Sequence, residues 1–82
     1  MKEFSVILEE YYPKTMKKQH ELKKNNNHEM ASRLLAYANK MQHMVYYASH
    51  TDNSELAEKY IQNARECYCL ANEYYAESIM GR

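Results

Sequence analysis

The chain has 82 residues with one glycine, one proline and no tryptophan, and its 11 Lys and Arg balance its 11 Asp and Glu. That length holds one domain at most, and a domain so short buries only about 60–65% of the surface its unfolded chain exposes, so self-association or a partner is a common remedy for a thin core. Zero net charge excludes a chain-wide polyanion mimic and a generally basic nucleic-acid binder.

The charge is unevenly placed. Residues 1–13 carry one Lys and three Glu, residues 14–24 five Lys and one Glu, and residues 53–80 five Glu, one Lys and one Arg. One segment is basic and the last is acidic. No run reaches the ~18 apolar residues of a membrane span, and the first residues lack the pattern of a signal peptide. The reading is therefore no membrane partner and a cytoplasmic location with reduced thiols.

In chain order, Phe4, Ile7, Leu8 and Tyr11 form the stripe of a short amphipathic helix over residues 1–12. Tyr12-Pro13 is expected to end or kink it, because proline disfavours helical geometry in the residue before it. Residues 14–24 are good helix formers with Met16 and Leu22 as apolar anchors, giving a basic, solvated helix. Asn25-Asn26-Asn27 is a turn, and Asn26 with Glu29 reads as a capping box for the next helix.

Over residues 28–50, Met30, Leu34, Tyr37, Met41, Met44 and Ala48 recur at helical spacing, flanked by Ala31, Leu35, Ala38 and Val45. His50 to Asn53 is a polar turn, with Asp52 and Glu55 as a second capping box. Over residues 53–80, Ala57, Ile61, Ala64, Tyr68, Ala71 and Tyr75 mirror the first stripe, with Leu56, Tyr60, Cys67, Leu70 and Tyr74 beside it. Gly81 fits a stop after Met80. The short turn makes these two helices antiparallel neighbours, with Met41 near Ala64 and Leu34 near Ala71. The expected fold is all-α: one helical domain over residues 1–82, a small bundle made of a long antiparallel hairpin and a shorter N-terminal helical segment kinked at Pro13.

Ala57, Ile61 and Ala64 stand at the spacing of the second helix of a tetratricopeptide repeat, and about eight residues there resemble that family. Its first-helix signature of Trp, Leu, Gly and Tyr would fall near Met41, Met44, Val45 and Ala48, where none of them stands. No ~34-residue period recurs either, so the resemblance implies no repeat fold here.

No catalytic, cofactor or metal site is expected. Cys67 and Cys69 are two apart on a helix and point about 200° apart, so they cannot chelate one ion together. His43 and His50 share a face two turns apart with no carboxylate between them, and His20 and His28 add ligands only if the basic segment folds back. Two surfaces remain. Lys14, Lys17, Lys18, Lys23 and Lys24, with Tyr11 and Tyr12 upstream, suit phosphates and stacked bases. Met44, Tyr47 and Tyr74 lie at the margins of the hairpin face and suit self-association, since half-exposed tyrosines favour interfaces. Each tyrosine pair, such as Tyr46-Tyr47, is expected to place one ring inward and one outward.

The functional expectation is a non-enzymatic protein-binding module or small inhibitor with a protein partner, of the kind that phages and other mobile elements direct at host machinery such as defence. The short first helix cannot cover the hairpin's apolar stripes, so a homodimer is expected. The alternative is a nucleic-acid or nucleotide binder using residues 14–24.

Overall fold

The structure, a computed structural model, describes the backbone of residues 2–80 and the side chains of residues 3–80. Its order is α1 (Lys2–Val6), a π turn (Ile7–Tyr11), α2 (Tyr12–Lys24), α3 (His28–His50) and α4 (Ser54–Met80). The first three run on as one helical arm. With the α3–α4 hairpin they make a three-helix, up-down-up bundle of 43 × 18 × 18 Å. Gly81 lies outside the described residues.

Pro13 does not break the arm. Proline lacks the N–H that would bond the carbonyl of Glu9, and its ring crowds that carbonyl. The chain answers with a π turn, in which the Tyr12 N–H reaches back five residues to the Ile7 carbonyl and the turn widens. This widening also sets the burial pattern. Ile7 and Thr15 are both fully buried, although eight residues of regular α-helix would leave them about 80° out of phase. The wider turn realigns them and rotates Leu8, expected in the buried stripe, to 42% exposure. Deleting Glu10 together with Pro13→Ala is expected to give a regular α-helix that keeps both positions in line. Its melting temperature should be no lower than the parent's; a fall beyond about 5 °C in a thermal melt would show that the π turn does more than absorb the proline.

The first inter-helix turn is closed by Asn26, which holds a left-handed φ of 65°. Asn27 N–H donates to the Leu22 carbonyl at 2.8 Å and Asn26 N–H to the Lys23 carbonyl at 3.1 Å. This is the Schellman arrangement, with asparagine in the place glycine usually takes. Neither capping box forms where the sequence placed it. Asn27 begins α3 without a side-chain cap, because Asn26 is committed to ending α2. At α4 the Asn53 Oδ1 accepts the Leu56 N–H at 3.1 Å, which displaces Asp52 from the role.

The core lies along the hairpin in two clusters. One holds Ile7, Met41, Val45, Ala48, Ile61, Ala64 and Cys67. The other holds Leu22, Ala31, Leu34 and Ala71. Met41 thus shares a cluster with Ala64 and Leu34 with Ala71, as an antiparallel fold about Thr51 requires. The arm also buries two polar residues, Thr15 and Gln19, and Thr15 Oγ1 returns its proton to the Tyr11 carbonyl at 2.9 Å. A hydroxyl bonded within its own helix can be buried at little cost. Among the described residues no helix is long and apolar enough to cross a membrane.

Candidate functional site

The arm covers one edge of α4. Tyr11 stacks on Tyr68 with ring centroids 4.0 Å apart and planes within 5°. Lys18 Nζ donates to Asn72 Oδ1 at 2.7 Å and lies 5.2 Å from the Tyr75 ring centroid. The Tyr75 hydroxyl donates to Glu21 Oε1 at 2.9 Å. That bond to a carboxylate, with burial and the Glu21 charge, pushes the Tyr75 phenol above its ordinary range. The partners are 54 or 57 residues apart throughout, as a parallel pair in constant register demands.

These contacts redraw the lysine surface. Lys18 and Tyr11 are engaged by α4, and Lys14 Nζ meets Glu10 at 3.9 Å in an exposed pair of the kind that contributes little. Lys17, Lys23 and Lys24 are exposed, and Tyr12 is half-buried. Lys17 and Lys24 are seven apart and share a face, while Lys23 turns away from it. The ring of Tyr11 is stacked and closed to a base.

The other edge of the hairpin is uncovered. Tyr47 and Tyr60 have ring centroids 5.6 Å apart, and the Arg33 guanidinium lies 5.3 Å from the Tyr74 ring. Between them, Lys40 and Glu66 both act on the Cys67 thiol, whose ordinary value is raised chiefly by burial, lowered by Lys40 and raised by Glu66. Each seven-residue step along α3, from 33 to 40 to 47, is matched by seven residues back along α4, from 74 to 67 to 60. Cys67 and Tyr68 are adjacent and so point about 100° apart on α4. The Tyr60–Cys67–Tyr74 line therefore lies on the other side of the buried Ala64–Ala71 line from Tyr68, with Cys67 itself buried in the cluster that holds Ile7.

This register assembles a flank along the α3–α4 groove. Tyr47, Leu56 and Leu70 are 47%, 39% and 48% exposed, and Tyr37, Met44, Tyr60 and Tyr74 are half-buried beside them. Met44, Tyr47 and Tyr74 thus share one surface. Tyr37, Leu56, Tyr60 and Leu70 belong to it as well, though the sequence places them only in the hairpin's apolar stripes. The seven-residue series of Arg33, Lys40 and Tyr47 against Tyr60, Cys67 and Tyr74 was the available signal. The Tyr46-Tyr47 pair differs from expectation because the buried line runs through Val45 and Ala48, leaving both rings outside it. Tyr46 stacks on His50 at 4.2 Å instead.

Two depressions lie along the arm. The larger, about 520 Å³, is lined by Glu3, Glu55, Glu58, Lys59, Ile61, Gln62 and Arg65. Its charges are mixed, and among the described residues no three His, Cys, Asp or Glu side chains converge as a metal site. The His50 Nδ1 sits 2.9 Å from the Tyr46 carbonyl, closing its own helix end. Cys67 is buried and Cys69 exposed. Comparison of the chain with family models, with curated proteins and with solved structures finds no match.

Proposed function

We propose that this protein is a non-enzymatic protein-binding module, and that it binds through the α3–α4 flank. What supports this is the contiguous apolar surface of Tyr37, Met44, Tyr47, Leu56, Tyr60, Leu70 and Tyr74, which the arm leaves uncovered. Monomers seldom leave so continuous a strip in water, and aromatic and methionine side chains are the residues interfaces favour. Action by occupation, as a small inhibitor made by a mobile element blocks host machinery, needs nothing beyond such a surface.

The test compares three immobilised proteins as baits in a lysate, with captured proteins quantified by mass spectrometry. They are the parent, the flank variant Tyr47→Lys/Leu70→Lys and the arm variant Lys17→Glu/Lys24→Glu. A partner that the parent and arm variant retain and the flank variant loses is the expected result. A partner kept by the flank variant and lost by the arm variant would move the site to the lysines. In that case binding to DNA or RNA should also fall steeply with salt, as counterion release requires.

A further inference from the structure

We infer that the occupant of the flank is a second copy of this chain, docked about a two-fold axis parallel to the helices; this rests on the flank being the binding surface. The middle of the flank is divided lengthwise by charge. There its α3 edge carries Arg33 and Lys40, with Glu29 one turn beyond them, and its α4 edge carries Glu66, Glu73 and Glu77, all exposed. By the register above, Arg33 stands at the height of Tyr74, between Glu73 and Glu77, and Lys40 at the height of Glu66 and Cys67. Among the described residues the one ion pair within 4 Å is Lys14 with Glu10, so none of these charges is met by an opposite charge within the chain, though Arg33 lies over the Tyr74 ring. Lys59 interrupts the acidic line toward the Tyr47–Tyr60 end, where the α3 edge carries a ring in place of a cation.

A two-fold axis parallel to the helices lays each α3 on the partner's α4 at equal height. Lys40 then faces the partner's Glu66, Arg33 faces the partner's Glu73 and Glu77, and Tyr37 lies on the partner's Leu70. Every contact occurs twice. The four hairpin helices alternate in direction, the arrangement of an up-down bundle. A two-fold axis perpendicular to the helices and passing at the middle of α3 would set α3 on α3 and Lys40 beside the partner's Lys40, and like charges in an interface are costly. The whole bundle is 43 Å long and 18 Å across, so an interface of the roughly 800 Å² that a stable complex takes from each partner would occupy most of that side.

Sedimentation equilibrium of the parent, of Lys40→Glu, of Glu66→Lys, of the two variants mixed and of the double variant in one chain tests this. Circular dichroism of each confirms that these exposed changes leave the fold intact. The parent is expected to be a dimer at tens of micromolar. Each single reversal sets two pairs of like charges in the contact and should weaken association about tenfold or more. The mixture and the double variant restore opposite charges at both sites and should recover the dimer. A parental monomer overturns the second copy as occupant, while loss of a foreign partner from the flank variant would still uphold the binding surface. A dimer that both single reversals leave unchanged overturns this axis.

Discussion

Replacing Leu34 by alanine is expected to cost about 2–5 kcal/mol, a large share of the stability of a domain of this size. Leu34 is fully buried, and the other buried members of its cluster are Leu22, Ala31 and Ala71. Two of these three are alanines with no rotamers to turn into the space, so only the half-buried Met30, Tyr37, Tyr74 and Tyr75 around them could close the cavity. The arm's buried contact at this end of the molecule is Leu22, and a void beside it also loosens the arm's hold on the hairpin. Urea unfolding measures the loss as a shift in midpoint at unchanged slope. A loss below about 1 kcal/mol would mean that this end collapses freely and that Leu34 is not its centre.

Ala64→Leu is expected to destabilise by about 1–3 kcal/mol, through crowding in place of a void. Ala64 is fully buried beside Met41 and Val45. It centres the Ala57, Ala64 and Ala71 series, which lets α3 and α4 approach closely. Leucine there must push the helices apart or leave a favoured rotamer. Ala76→Leu makes the same change at an exposed position on α4 and should stay within about 0.5 kcal/mol of the parent. Equal melting temperatures for the two variants would show that the helices do not meet closely at Ala64.

The hairpin was legible because a 3.6-residue period survives any small error in where the helices start. Met41 with Ala64 and Leu34 with Ala71 follow from the turn alone. The caps were legible only to within a residue, since Asn25, Asn26 and Asn27 are chemically equivalent and the left-handed position is chosen by the end of α2. The continuity of the arm was hidden by a sound local rule. Proline forbids the regular α pattern, and nothing in the neighbouring residues announces that a π turn will absorb it. Leu8 was placed in the buried stripe for the same reason. The candidate surface was partly legible: Met44, Tyr47 and Tyr74 could be assigned to the margins of the hairpin. Which margin is open depends on where the arm lies, and that is decided by contacts 54 to 57 residues apart, Lys18 with Asn72 and Glu21 with Tyr75 among them. No local pattern encodes such separations.

The turns at residues 25–27 and 51–53 also bear on how quickly the molecule can assemble. Each helix meets its chain neighbour across only three residues, so closing either pair costs little loop entropy. Bundles dominated by such local contacts fold in microseconds to milliseconds. The parallel seam of arm and α4 is the exception, since its partners are most of the chain apart. With both turns already closed, Tyr11 has far less chain to search for Tyr68, so the aromatic stack is expected to form late, on a bundle already collapsed.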